Sequence, residues 1–426
     1  MFTNGELIID NFAGGGGAST GIEAAFRDIY VDFAANHDED AIRMHKVNHP
    51  KSRHFREDIW LLDPLAITKG KPVGLLWASP DCRHFSNTAG KRPLSHHIRG
   101  LAWNILRWAA KVRPRVIIME NVPEFLTWGP LNRGKHGYYD ENGEKKFRAG
   151  HRPIEKKKGT TFKQFYKQLS ELGYNIEYRT LCAADYGAAT IRERFFLIAR
   201  SDGKPIEWPV VTHAERHSKE VISGKLKPYT PATSVINYKI TGGSVFEMKN
   251  GKFRYGDKAM NRIYTCIRKY IAGEPNPNIL PFTSSEYDVQ VGLITEEYGT
   301  SNGFDPYSPM HTITKSAGAH FKDIRVCLKE GSYRPDEKYS DLLKRECGEI
   351  YIKGKMYHVV DILGRNLMPT ECFSAMGFPE DYIIDRDADG RIYSKTAQNA
   401  RVGNAVVPLM AKLLVQGQFP EFADAA

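Results

Sequence analysis

An α/β fold with an open, largely parallel sheet and a smaller inserted domain is predicted by three observations. Apolar runs of strand length, such as Val73-Gly74-Leu75-Leu76-Trp77-Ala78 and Val116-Ile117-Ile118-Met119, lack alternation, as strands buried on both faces do. Stretches of helical spacing separate these runs, and a glycine-rich loop follows the first of them. The strand–helix rhythm stops at Trp208-Pro209 and regular order returns only near Pro369, so the intervening chain has a different architecture. At 426 residues there is enough chain for two domains. The expected division is a first domain over 1–204, an inserted domain over 205–355, and a segment over 356–426 that returns to the first.

Taken in order, Leu7 to Phe12 reads as the first strand, and Ala13-Gly14-Gly15-Gly16-Gly17 as the loop after it. Ala18 to Asp28 then has helical spacing, with Ile22, Ala25, Phe26 and Ile29 on one face. Strand, glycine loop and helix together form a nucleotide-binding turn, because bare backbone lets a ligand approach closely. A second strand is expected over Tyr30 to Ala35, ending in Asn36-His37-Asp38-Glu39-Asp40, where this architecture meets a ribose hydroxyl. Helix-capping carboxylates are the plainer reading of that acidic cluster. A third strand is expected over His54 to Ile59, which would turn Asp58 toward the ligand pocket.

The fourth strand, Val73 to Ala78, breaks into Ser79-Pro80-Asp81-Cys82-Arg83-His84-Phe85-Ser86. A single cysteine in a turn is ordinarily an inert buried thiol. This one follows the carboxyl end of a buried strand, where open α/β sheets hold their ligands. The polar stretch after it, with Arg83, Lys91 and Arg92, reads as a lid able to meet phosphates. A helix is expected from Ile98 to Val112, then a strand ending in Glu120-Asn121-Val122-Pro123. A carboxylate at a buried strand end needs a partner or a task, so Glu120 is the second catalytic candidate. Residues 129–160 read as a solvent loop or insertion. Arg192 and Arg194 enter a strand two residues apart and so face one side, suited to gripping a polar ligand edge, although surface ion pairs give the same pattern. In 205–355, strand-like pieces are expected around Tyr264, Val289 and Ile313.

Composition excludes several classes. No run of 18 apolar residues is present and the amino terminus lacks a signal-peptide pattern, which points away from a membrane. Six cysteines without a C-x-x-C pair argue against structural zinc and a disulfide framework, and suit a reducing cytoplasm; no metal is expected. A net charge of +10 is compatible with a polyanionic partner.

With these segments in order, the chain resembles the cytosine-C5 DNA methyltransferases of bacterial and phage type, over roughly 7–200 and 305–415. Asp10-Asn11-Phe12-Ala13-Gly14 through Gly17 looks like the family's S-adenosylmethionine loop, and Cys82 with Phe85-Ser86 like its nucleophile motif. Glu120-Asn121-Val122, Arg192-Glu193-Arg194, Met376-Gly377-Phe378-Pro379 and Gly403-Asn404-Ala405-Val406 match four further motifs in order. The resemblance implies a Rossmann-like methyltransferase sheet, S-adenosylmethionine as cofactor, and an inserted domain that recognises the target. It implies duplex DNA as partner and a monomer with no obligatory protein partner, in the cytoplasm of a bacterial or phage-infected cell.

The resemblance also implies roles. Cys82 would add to C6 of a cytosine flipped out of the helix, Glu120 would donate to N3, and Arg194 would hold O2 with Arg192 in support. Phe12, Ala13, Gly14, Gly15, Gly16, Gly17, His37, Asp38, Asp58, Ile59, Asn404 and Val406 would hold the cofactor. Asp81 stands where the family has proline and should raise the thiol pKa unless a cation such as Arg83 offsets it. His37 replaces the ribose-binding Glu, and Thr190 the Gln of the arginine motif. Three rivals remain: a tRNA methyltransferase of the same chemistry, an inactive DNA-binding homologue, and a nicotinamide-dependent oxidoreductase that uses the glycine loop alone.

Overall fold

The computed structural model describes residues 2–82, 99–139, 144–249, 252–272, 274, 276–281, 284–297, 303, 305–314 and 320–425. Arg83, Phe85, Ser86, Lys91 and Arg92 lie outside the described residues. Seven strands form the main sheet: β1 (Leu7–Asn11), β2 (Phe33–Ala35), β3 (Arg53–Phe55), β4 (Val73–Ala78), β5 (Val116–Asn121), β8 (Asn175–Cys182) and β9 (Glu193–Arg200). Their order is β3-β2-β1-β4-β5-β9-β8. The first five pair in parallel, whereas β9 runs antiparallel to both β5 and β8. Every residue of β1, β4 and β5 is buried, as their unbroken apolar runs require. Order reverses on either side of β1 and β4, so the ends of these two strands open the crevice where such sheets bind ligands.

Helices cover both faces. Helix α1 (Gly17–Ala25) packs on the same face as the carboxyl-terminal helix Pro408–Gln418. The opposite face buries Trp108, Phe125, Phe162 and Phe165. A Cβ on Gly21 would lie 2.1 Å from the Pro408 carbonyl and 2.6 Å from Ala411 Cβ, so the two helices cross with no room for a side chain. Gly21→Ala is therefore expected to destabilise the protein by about 2 kcal/mol, the cost of forcing packed backbone apart. Urea unfolding should show a lower midpoint at unchanged slope.

The inserted domain has its own core and a five-stranded sheet, with Phe321–Glu330 between Val289–Glu296 and Lys355–Asn366, all antiparallel. Gly243–Ser244 and Ile350–Ile352 also pair with Lys355–Asn366. The expected boundary at 356 falls at the beginning of that strand, yet it is the strand on which this second sheet is built. A buried ion network ties the sheet to the helix Pro369–Ala375. Arg365 grips Glu371 of that helix through two contacts of 2.7 and 2.8 Å and reaches Asp323 at 3.1 Å. Glu371 also accepts from the backbone N–H of Asn237 and Met368, so the insertion and the returning chain share one set of buried charges.

Several local expectations differ from the structure. The strand expected over 30–35 begins only at Phe33, and the one over 54–59 ends at Phe55, because Arg56 and Glu57 are exposed and find no partner strand. Residues 129–160 are no simple loop. They contain an antiparallel hairpin of β6 (Leu131–Tyr139) and β7 (Lys145–Pro153), whose strands pair only with each other among the described residues. Tyr264 lies in the helix Asp257–Ile267, which buries Ile263, Tyr264, Cys266 and Ile267 on one face. Ile313 is buried in a segment without strand pairing of its own, while Val289 does begin a strand. Among the described residues no helix is long and apolar enough to cross a membrane.

Candidate active site

A cavity of about 190 Å³ opens at the carboxyl ends of β1, β4 and β5. Backbone contacts bring those ends together. Ser79 N donates to Asn11 O, linking β4 to β1, and the Asn121 side chain donates to the Pro80 carbonyl at 3.0 Å. Asn121 thus ties the strand that carries Glu120 to the turn that carries Cys82. Cys82, Glu120, Arg192 and Arg194 all border the cavity.

Electrostatics distinguish these four groups. Arg194 Nε meets Glu120 Oε1 at 2.9 Å, a nearly buried ion pair that points the guanidinium along the cavity wall. Arg192 is fully buried and donates to two backbone carbonyls, Ile313 O at 3.1 Å and Gly403 O at 3.2 Å. Its position therefore depends on the inserted domain and on the carboxyl-terminal motif together. Burial and the charge of Arg194 push Arg192 down to about 9. Burial pushes the Cys82 thiol up, Arg194 opposes that, and Glu120 reinforces it. Asp81 also raises the thiol, as its charge predicts, though less than Glu120 does. Among the described residues the offsetting cations are Arg194 and Arg192.

The other end of the cavity is built from the glycine loop, the end of β2 and the returning chain. Phe12, Ala13, Gly14, Gly15, His37, Asp38, Asn404 and Val406 border it. Gly14 has φ +56 and a Cβ there would meet only the Phe12 carbonyl at 3.9 Å, so the loop offers bare backbone to a ligand. Asp38 both caps helix α2 (Glu39–Asn48) through Ala41 N and lines the cavity. Burial raises its carboxyl, but the Ala41 N–H and the Arg401 guanidinium, 3.0 Å away, outweigh this and hold it below the usual range. Capping and ligand binding are thus compatible uses of one side chain.

Four expected ligand residues lie elsewhere. A Cβ on Gly16 would strike the Tyr382 hydroxyl, and one on Gly17 the Val406 carbonyl, so these glycines admit neighbouring chain rather than border the cavity. Asp58 accepts from Trp60 N in the turn after β3, and Ile59 is buried in the core. Neither borders the cavity, because β3 stops three residues too early to carry them there. Conversely, Asp10, Asn36, Ser79 and Arg401 line it without having been singled out. Asp10 stands inside the glycine motif, so its position was available as a signal. Arg401 reaches the cavity only through tertiary folding.

A family model described as C-5 cytosine-specific DNA methylase matches residues 7–130 and 152–417. The chain belongs to this family. The unmatched residues, 131–151, coincide with the β6–β7 hairpin, which is therefore an addition to the methylase framework. Across 96% of this chain and 87% of its own length, the type II methyltransferase M.DdeI of Desulfomicrobium norvegicum is 23% identical. M.AquIA of a Picosynechococcus is 29% identical over 54% of this chain and 88% of its own. Among solved structures, a putative DNA modification methyltransferase of an Escherichia coli prophage superposes with a TM-score of 0.52 at 17% identity, covering 97% of this chain and 99% of the other. The Dnmt2 methyltransferase of S. pombe gives 0.54 at 15%, covering 98% of each. These likenesses establish the Rossmann-like methylase fold, and membership makes this chain an S-adenosylmethionine-dependent methylase.

Proposed function

We propose that this methylase transfers a methyl group to C5 of a cytosine in duplex DNA, through a transient bond between Cys82 and C6 of the ring. The observation that carries this reading is the meeting of a thiol, a carboxyl and two guanidinium groups at one end of a cavity whose other end is a glycine cradle. Fit to the cofactor rests on the bare Gly14–Gly15 backbone and on a buried, unpartnered oxygen of Asp10 beside it. Phe12, Gly14, Gly15, His37, Asp38 and Asn404 would hold the cofactor, which when bound supplies an electrophilic methyl on a sulfonium sulfur.

Cytosine C5 is a weak carbon nucleophile, and the protein groups correct this. The Cys82 thiolate forms a bond to C6 while Glu120 delivers a proton to N3, so the ring electrons shift to C5 and allow it to take the methyl. Arg194, already held at Glu120, is placed to donate to the base O2 as the ring enters. Loss of the C5 proton to water, breaking of the Cys82–C6 bond and return of the N3 proton to Glu120 regenerate the enzyme. C5 and C6 are stacked inside duplex DNA, so the base must leave the helix, at about a few kcal/mol. The inserted domain, with its own sheet and core, supplies a surface to offset that cost.

Labelled methyl groups from S-adenosylmethionine are expected to appear in duplex DNA as 5-methylcytosine and not in transfer RNA offered in parallel. Duplexes carrying 5-fluorocytosine at the target should accumulate a denaturant-stable protein–DNA adduct, because fluorine cannot leave C5 as a proton. Methylation without any such adduct would rule out the covalent route.

A further inference from the structure

Beneath the glycine cradle lies a row of polar groups that the reaction above does not use. Asp10, at the end of β1, is fully buried and borders the cavity. Its Oδ2 accepts from the Ser19 hydroxyl at 2.7 Å, and among the described residues its Oδ1 has no hydrogen-bond partner. Ser19 Oγ lies 2.9 Å from His45 Nε2, and His45 Nδ1 lies 2.9 Å from His54 Nε2. Ser19 and His45 are fully buried, whereas His54, on β3, is partly exposed. Four groups from four elements therefore connect the cavity wall to the surface without passing through the cavity.

The hydrogen bonds can run in either of two directions. With Asp10 ionised, His54 Nε2–H donates to His45 Nδ1, His45 Nε2–H to Ser19, and Ser19 O–H to Asp10 Oδ2. With Asp10 protonated on Oδ2, all three bonds reverse and each donor again has its acceptor. Switching between the two moves one proton along the row and leaves every intermediate group neutral. Burial, together with His49 and then His54, holds His45 well below the usual imidazole range, which suits a neutral relay.

We propose that His54, His45 and Ser19 form a proton-exchange path that sets the charge of Asp10, and that ionised Asp10 is the cavity group that receives the cationic end of the cofactor through Oδ1. This inference rests on the reading of the cavity as an S-adenosylmethionine site. An orphaned carboxylate oxygen, desolvated and next to bare backbone, favours a ligand that brings N–H donors and positive charge. Other charged groups near Asp10 are engaged elsewhere. Glu23 of α1 pairs with His49 of α2 at 2.8 Å, and the other nitrogen of His49 meets Thr20 and Tyr382. Arg401 is held by Asp38 and Asp40, while Lys46 bears on His54. Arg192 and Arg194 border the same cavity at the Cys82 end, with Asp81 and Glu120, and His37 borders the cofactor end.

The path has a consequence for pH. Burial pushes the Asp10 carboxyl up to about 7, against the partial relief of Ser19. Below pH 7 the empty site holds a proton that a cationic ligand must expel, so affinity falls as pH drops. Calorimetric titration of the full-length protein with S-adenosylmethionine should give a Kd that rises about tenfold for each pH unit below 7. Repeating the titration in buffers of different ionisation enthalpy should show close to one proton released at pH 6 and far less at pH 7.5. Asp10→Asn should bind weakly and release no proton at either pH. His45→Phe should move the break in the Kd profile to higher pH, and His45→Gln, which still donates to Ser19, should restore it in part. A wild-type Kd that is level from pH 5.5 to 7.5, or proton release that survives Asp10→Asn, would overturn the inference while leaving the methylase reading intact. Absence of binding at every pH would instead remove the methylase reading on which it rests.

Discussion

Replacing Cys82 with serine is expected to lower methyl transfer by on the order of 10⁴-fold or more and to abolish the 5-fluorocytosine adduct. Serine keeps the size of the side chain, but its hydroxyl is a far weaker nucleophile toward C6. The variant should still bind the cofactor, because Cys82 stands at the opposite end of the cavity from the glycine cradle. In the wild type the thiol is pushed up by burial, with Arg194 as the main opposing charge. Most of it is therefore protonated at neutral pH. Adduct formation at saturating cofactor should climb with pH, by up to about tenfold per unit, until the thiolate predominates. A rate that falls between pH 7 and 8.5 would contradict a thiolate nucleophile.

Glu120→Gln carries the second large effect, a loss of roughly 10²–10⁴-fold in kcat from removal of the proton donor to N3. Glutamine retains the shape and can still donate an N–H, so binding of DNA should change much less than kcat. Thiol reactivity should move the opposite way. Glu120 raises the Cys82 thiol and pairs with Arg194, so its neutralisation leaves an uncompensated guanidinium facing the sulfur. Alkylation of Cys82 by iodoacetamide at pH 7.5 should become faster in Glu120→Gln while methyl transfer collapses. Parallel loss of both would mean that the substitution disrupts the site rather than its proton chemistry.

Hydrophobic period and residue chemistry made much of the fold readable. Unbroken apolar runs announced β1, β4 and β5, and these strands are buried throughout. Short strands were read less well, since β2 and β3 have three residues each and their limits depend on which backbone finds a partner. The misjudged end of β3 is also what led Asp58 and Ile59 to be expected in the cavity. Gly16 and Gly17 illustrate a different ambiguity. A glycine required for close approach of Tyr382 or Val406 looks the same in sequence as one required for a ligand. The β6–β7 hairpin escaped because its glycines and lysines conceal the alternation of a strand.

Motif order by itself determined the chemistry: a thiol, a carboxyl and paired arginines at the ends of buried strands, with a glycine loop upstream. These are local facts, each written within a few residues. Only the tertiary structure decided which groups meet across the chain. Asp38 and Arg401 are 363 positions apart, and Arg192 is held by carbonyls of Ile313 and Gly403, from the insertion and the returning segment. The charge of Asp10 likewise depends on its burial and on histidines from α2 and β3. Desolvation and long-range hydrogen bonds arise only when separate segments pack, so neither can be read from residue order.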